Sequence, residues 1–548
     1  MTGSAVADME ITTGRPATFA PNGMVTSPHS LASAAGVDVL RAGGSAIDAA
    51  IATSAVLSVI YPHMTGVGGD AFWLIREAGP GKIRYLNGGG RAVESATLAR
   101  LAELGHDAVP YFGVVPATLT TPGAVASWSL AHEGYGRLPL SRVLESAINY
   151  ARDGFPVTER LARFTDMLAP ELAKHRESAA LFLPNGEAPS VGSSLSNNNL
   201  ARTLESYAQD GWSGFYEGDV ARELTRFSTE NGGFFTREDL AGQRAAWGEP
   251  IAGTYRDVTI YTTPAPTQGF AMLEMLNLLE PLELNRLPLL SAERLHYLVQ
   301  AKQIAFHDRD RFLADPDFAD VPIGRLISKA YANDRRALID PRRALPWDKV
   351  PSHGSASGDT VYIAAVDDEG NAVSLIQSLY GLYGSTVVAG ETGVVLQNRG
   401  AYFSLNPDHP NRLEPGKVPL HTLMATAAMR GDRFWGLLGC MGGDGQPQML
   451  LQCYLAMIDF GLDVQAAVEM PRFVSGRLAL GEARDTLHVE ARFPVESISE
   501  LEKWGHILDR WGDWNESAGH AHGIFIDPRH GSLVGGADPR SDGAAVGC

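Results

Sequence analysis

Val361-Tyr-Ile-Ala-Ala-Val366 holds six apolar positions with no polar interruption, and a second run from Ala372 to Ser378 follows the polar stretch Asp367-Asp-Glu-Gly-Asn371. A strand with one solvated face alternates, so an unbroken run predicts a strand buried on both faces. Gly370-Asn371 supplies turn residues, and the two runs read as a hairpin. The same patterning predicts a short strand at 24–26 and a helix over 30–40 closed by Gly43-Gly44. A helix over 47–60 is apolar nearly all round, hence buried, and Pro62 stops it. Strands are expected at 71–75 and 83–86. From about 120 to 345 helical spacing dominates, with elements from 122 onward and at 141–153, 198–209, 219–229, 268–279 and 292–312, interrupted by a strand at 258–262. Beyond the hairpin, residues 436–441 predict a strand that turns at Gly442-Gly443 into a helix over 448–460. Residues 1–22 read as a loose arm, and the Gly, Ser and Pro rich stretch 344–359 as a loop ending at Thr360.

Composition narrows the function classes. At 548 residues, 45% hydrophobic and 20% charged, the chain suits one large or two medium cores. A net charge of −18 argues against nonspecific binding to nucleic acid or anionic membrane, while leaving room for a local basic pocket. Cys440, Cys453 and Cys548 show no CxxC spacing, so neither a disulfide framework nor a zinc site is indicated. With no basic and apolar leader and no run of eighteen apolar residues, the expected location is cytoplasmic.

Three places carry candidate chemistry. A loop that feeds a buried strand through Asp359-Thr360 is what a self-cleaving N-terminal nucleophile needs, because one residue then supplies both hydroxyl and α-amine; an ordinary strand-start threonine gives the same residues. Arg91, after Asn87-Gly-Gly-Gly90, suits a carboxylate or a loop surface. Consecutive amides at Gly442 and Gly443 near a helix start suit an oxyanion or a tight turn. The glycines of Thr65-Gly-Val-Gly-Gly-Asp70 lack a phosphate-loop ending and predict close backbone approach instead. Asp308-Arg-Asp-Arg311 reads as a solvated or salt-bridged helix face and is assigned no chemistry.

In order along the chain, Gly23-Met-Val25 with residues 36–52, Thr263-Pro-Ala-Pro-Thr-Gln-Gly269, Asp359-Thr360 with residues 366–373, and Gly442-Gly443 resemble the γ-glutamyltransferase family of N-terminal nucleophile hydrolases. The resemblance implies an α+β fold, a four-layer αββα sandwich with an added helical lobe at about 120–345. It implies a precursor cut between Asp359 and Thr360, with 23–359 as the large part and 360–548 as the small part of one domain. Thr360 would be the nucleophile, Ser378 its orienting partner, Gly442 and Gly443 the oxyanion donors and Arg91 a carboxylate ligand. No metal or cofactor is implied, the partners are a small-molecule substrate and the chain's own two parts, and a homo-oligomer stays open.

Departures from the family pattern bear on the substrate. Val361 stands where the family has a second threonine, Tyr380 where many members have asparagine, and His421-Thr422 where they have a serine pair. Gln397-Asn-Arg-Gly400 loses an acid and gains Arg399. Residues 396–404, 441–448 and 537–543 resemble the oxamate amidohydrolase-like branch. The substrate expected from this is a small carboxylate-bearing amide, contacted by Arg91, Tyr380, Arg399, His421, Thr422 and Asp444. The alternatives are a γ-glutamyltransferase or glutathione hydrolase, and a non-catalytic binding protein that keeps the fold.

Overall fold

Asp359–Val366 and Ala372–Tyr380 pair antiparallel at the centre of a seven-stranded sheet. The computed structural model describes residues 14–79, 81–346, 359–477 and 485–548; most of the loop expected at 344–359, from 347 to 358, lies outside them. In spatial order this sheet is Ala544–Gly547, Met24–Ser27, Asp359–Val366, Ala372–Tyr380, Asp70–Arg76, Ile83–Gly88 and Ala246–Gly248. A second sheet runs Thr18–Ala20, Leu533–Ala537, Ala521–Ile526, Arg433–Cys440, Thr426–Arg430, Val258–Thr262 and Ile251–Tyr255. Thr18–Ala20 is thus an edge strand, and order begins ahead of Gly23, where a loose arm is expected from composition.

The unbroken apolar run has the reason its pattern predicts. Val361, Ile363 and Ala365 face an outer layer with the helix Ala46–Ile60, all of whose residues are buried. Their neighbours Tyr362, Ala364 and Val366 face the other sheet through Leu437, Ala427 and Ile524. The far face of that sheet packs Ile260, Ala428 and Leu438 against the helices Gly269–Leu279, Ala292–Phe312 and Gln446–Phe460. Helix, sheet, sheet, helix is the αββα order, and each layer exists because period-two strands leave two apolar faces to cover.

The helical stretch 120–345 is not a single lobe. Its first half, from Ala124–Tyr135 to Asp219–Glu230, joins the core on one outer face, and Gly269–Leu279 with Ala292–Phe312 joins the core on the other. Between them Ala246–Gly248 enters one sheet and Ile251–Tyr255 with Val258–Thr262 the other. A helix Glu159–Leu172 is not anticipated by the periodicity, though Thr158 caps it by accepting the Leu161 amide.

Two contacts aim the strand ends. Gln377 is buried among apolar residues with its amide engaged: Oε1 accepts from Ser54 and Trp128, and Nε2 donates to Thr65 and Ser58. That fixes register, and alternation turns Ser378 to the other face. A Cβ on Gly439 would lie 2.0 Å from the Tyr362 ring. Only glycine permits this approach, which brings the end of Arg433–Cys440 beside the start of Asp359–Val366.

The C-terminal strands are tied to the body by buried charges. Arg540 grips Glu490 with Nε at 2.7 Å and Nη2 at 2.5 Å and reaches Asp538 at 3.0 Å, while Arg472 also pairs with Asp538. Burial pushes the Asp538 carboxyl up, but Arg472 and Arg540 hold it well below the usual carboxylate range. Asp538→Asn is therefore expected to lower stability by roughly 3–5 kcal/mol, since it leaves the buried Arg472 guanidinium without its carboxylate and takes one of two from Arg540. Urea unfolding of the purified variant checks this, and a shift under ~1 kcal/mol would mean the network is dispensable.

Candidate active site

Thr360, the second residue of the strand Asp359–Val366, is buried, and its hydroxyl donates to Ser378 Oγ at 3.2 Å. The register between the two strands shifts between Asp359 and Val361: Val361 faces Gln377, whereas Asp359 faces Tyr380. Such irregularities re-aim side chains at functional sites, and here it sets Ser378 next to Thr360. Ser378 Oγ also accepts the Tyr380 amide at 2.7 Å. Tyr380 itself has φ 81°, a left-handed conformation unfavourable for a non-glycine residue. Packing holds it there: its ring meets Tyr402 at 4.6 Å, Tyr111 at 5.5 Å and the Arg399 guanidinium at 4.5 Å.

Arg399 is 1% exposed. Its Nη1 donates to Thr422 Oγ1 at 3.2 Å, and its Nη2 is buried with no hydrogen-bond partner among the described residues. Asp70 and His421 lie alongside. Asp70 Oδ1 accepts from the amides of Gly90 and Gly123 and from Gln397 Nε2, and Oδ2 stands 3.5 Å from His421 Nε2. Burial pushes the Asp70 carboxyl up to about 7, against the opposing pull of Arg399 and these donors. Burial, then the Arg399 charge, holds His421 well below 6.5, so its imidazole is neutral. The glycines before Asp70 do allow close approach: a Cβ on Gly69 would lie 2.1 Å from the Ser378 carbonyl.

Gly442 and Gly443 form the tight turn after Arg433–Cys440, with φ 133° and 49°. They stand at the cap and first position of a short helical turn, where amides have no partner within the helix. Gln268 Nε2, from the proline-rich turn, donates to the Gly443 carbonyl at 2.9 Å and to the Thr422 carbonyl at 2.6 Å. Asp444 Oδ1 accepts from Arg309 at 2.9 Å and from the Tyr402 hydroxyl at 3.0 Å. A continuous hydrogen-bonded and stacked path therefore leads from Thr360 through Ser378, Tyr380, Arg399, Thr422 and Gln268 to the glycine turn.

Of the residues singled out in the sequence, Thr360, Ser378, Tyr380, Arg399, His421, Thr422, Gly442, Gly443 and Asp444 come together. Arg91 is half-buried, and its Nη1 donates to the Gly416 carbonyl at 2.9 Å. Asp359 contributes its backbone to the strand. Arg309 overturns the solvated-face alternative for 308–311: it is buried at the site, as is Gln268. A helix face pairing charges at every second position was a signal of burial as much as of solvation, and only packing separates the two. Asp70 and Tyr402 are also missed as site members. No group of three or more acidic, His or Cys side chains among the described residues is placed to hold a metal ion, and no described helix is long and apolar enough to cross a membrane.

Comparison with known proteins gives this arrangement its relatives. The sequence model of the family described as Gamma-glutamyltranspeptidase matches residues 32–548. The chain is 43% identical over 524 residues to the glutathione hydrolase-like YwrD proenzyme of Bacillus subtilis, covering 96% of this chain and 98% of that one. It is 38% identical over 531 residues to the oxamate amidohydrolase proenzyme of Klebsiella pneumoniae, covering 96% and 98%. Among solved structures, a cephalosporin acylase from Bacillus halodurans superposes with a TM-score of 0.90 at 37% identity, over 97% of each chain.

Asp70 makes the site sensitive to pH in a definite direction. A carboxyl raised to about 7 in the folded chain keeps its proton at pH values where the unfolded chain, with an ordinary value of 3.8, has lost it. Stability from this group is thus withdrawn as pH rises from ~4 to ~7, by at most ~1.4 kcal/mol per pH unit, with no further change above. Asp70→Asn cannot ionise, so the stability of the parent relative to the variant is expected to fall between pH 5 and pH 7.5 in urea titrations. A constant difference would show that Asp70 is ionised throughout.

Proposed function

Because the chain belongs to the gamma-glutamyltranspeptidase family of N-terminal nucleophile hydrolases, enzymes acting on amide C–N bonds, we propose that it matures by cutting itself before Thr360 and then hydrolyses a small amide whose acyl part carries a carboxylate, as oxamate does. Maturation starts when Thr360 Oγ attacks the Asp359 carbonyl. An N-to-O shift gives an ester, and water cleaves it to a C-terminal Asp359 carboxylate and a free Thr360 α-amine. That amine has an ordinary pKa of about 7.7–8.0, so at neutral pH a useful fraction is the free base that the adjacent hydroxyl needs.

In turnover Thr360 Oγ attacks the amide carbon while its amine takes the hydroxyl proton. The Gly442 and Gly443 amides receive the oxyanion, Ser378 orients the nucleophile, and the C–N bond breaks as the amine returns the proton to leaving ammonia. Water then cleaves the acyl ester on Thr360. For oxamate one amide and one water become oxalate and ammonium, with no redox change and no co-reactant.

The observation that carries the substrate class is the buried, unpartnered Nη2 edge of Arg399. Leaving such a donor unsatisfied is costly, and a carboxylate is the acceptor that fits a guanidinium edge. Tyr380 stacks on the guanidinium, Thr422 anchors its other branch, and neutral His421 adds no charge of its own. The carboxylates of this network are engaged in part: Asp444 by Arg309 and Tyr402, Asp70 through Oδ1 by three donors. An acyl group without an ammonium suits this balance better than a γ-glutamyl group.

Intact mass and N-terminal sequencing should find two chains, the second beginning Thr-Val-Tyr-Ile, and a single uncut chain for Thr360→Ala. A parent that stays uncut after long incubation would sink the maturation step. Arg399→Met is expected to reduce kcat/KM for oxamate by roughly 10- to 100-fold, the worth of a charge-assisted hydrogen bond, and much less for an uncharged amide. Faster release from a γ-glutamyl anilide than from oxamate would overturn the substrate class while leaving the chemistry in place.

A further inference from the structure

Arg309 lies near the end of the helix Ala292–Phe312, 4% exposed, with its guanidinium 4.1 Å from the Phe306 ring centre. One nitrogen, Nη1, donates both to Gln268 Oε1 at 2.8 Å and to Asp444 Oδ1 at 2.9 Å. The other two, Nε and Nη2, close on Asp310 Oδ1 at 2.9 and 2.7 Å. Its two Nη1 partners bracket one turn: Gln268 holds the Gly443 carbonyl, and Asp444 is the next residue along. We propose that Arg309 is a positioning residue for the reaction, holding the Gly442–Gly443 turn through Gln268 and Asp444 so that its amides meet the oxyanion. This rests on the role given to those amides under the proposed function.

The physical need comes from the turn itself. Two consecutive glycines have more backbone freedom than any other pair of residues, and no side chain of their own limits it. Oxyanion donors act only when held at about 2.7–3.1 Å from the developing charge, and a displacement of an ångström forfeits much of the effect. Rigidity must therefore be imported. Gln268 supplies it at the carbonyl of Gly443, but a primary amide can rotate, and Arg309 fixes its oxygen end. Asp444 is gripped from two sides, by Arg309 and by Tyr402. Tyr402 also packs tilted against Tyr380 and lies 5.4 Å from the Arg399 guanidinium, so the same clamp connects the oxyanion turn with the carboxylate pocket.

A planar fork that reaches three acceptors is not replaceable by an ammonium. Lysine would keep the positive charge between Asp310 and Asp444 but not the simultaneous hold on Gln268 and Asp444. That makes Arg309→Lys a test of geometry with the charge preserved.

The experiment compares the parent, Arg309→Lys, Asp444→Asn, the double variant, Thr360→Ala and Arg311→Lys, the last an exposed position on the same helix. Each is assayed for cleavage by mass, for melting temperature, and for kcat and KM on oxamate, or on a γ-glutamyl anilide where the parent prefers it. Arg309→Lys is expected to be cut, with kcat reduced by about tenfold or more and KM within about threefold, since the loss belongs to the transition state. Asp444→Asn should lose kcat in the same way, and the double variant should fall no more than about threefold below the weaker single, because both changes release one turn. Arg311→Lys should match the parent.

A kcat for Arg309→Lys within threefold of the parent, a loss confined to KM, or losses that multiply in the double variant would overturn the proposal. Where Arg309→Lys fails to fold, Asp444→Asn decides alone, an unchanged kcat counting against. Active parent with inactive Thr360→Ala upholds the proposed chemistry whatever Arg309→Lys does, so the two ideas fail separately. A parent idle on both amides, or a fully active Thr360→Ala, sinks the chemistry and this clamp with it.

Discussion

The pairing of Asp359–Val366 with Ala372–Tyr380 has to hold one register, because both of its faces are buried by different layers. A slip of one residue would push Tyr362 into the helix layer and Ile363 between the sheets, and would move Gln377 away from the five groups that satisfy its amide. Apolar packing alone tolerates some sliding; a buried amide with one set of partners does not. The register in turn sets Ser378 beside Thr360. The position of the nucleophile is thus a consequence of core packing, and the irregularity between Asp359 and Val361 is the one place where the ladder yields to it.

Buried charge is distributed unevenly over the molecule. Arg472, Arg540, Asp538 and Glu490 are matched by each other, as buried ions must be if they are to be tolerated. Arg309 is likewise matched, by Asp310 and Asp444. Arg399 is the contrast: equally buried, it has one branch on a hydroxyl and the other on nothing among the described residues. Asp70, close enough to feel its charge, is pushed by burial toward neutrality and leaves much of that positive charge uncompensated. An incoming carboxylate completes the set.

Much of the frame was legible from the residues. The hairpin, the buried helix Ala46–Ile60 and the strand-turn-helix at Gly442 follow from local rules of periodicity and turn chemistry. The helical stretch 120–345 divides between two layers, which periodicity does not report, since it shows which face of a helix is apolar and not which layer it covers; residues 246–262 thread into both sheets. Arg309 was invisible as a site residue for a related reason. Its partners Gln268 and Asp444 lie far away in sequence, and an alternating acidic and basic stretch looks the same whether water or carboxylates surround it.

The amino-acid sequence by itself determined most of the secondary elements, the strand-edge threonine, the paired glycines and the family to which the chain belongs, since these depend on local conformational preference and on motif order. That Asp70, Gln268 and Arg309 join the site was decided only by the tertiary structure. Asp70, Gln268, Arg309, Arg399 and Asp444 come from five separate segments, and their hydrogen bonds act over about 3 Å while the sequence separations they span reach 327 residues, between Asp70 and Gln397. Only the packing of two sheets and their covering helices converts those separations into contacts.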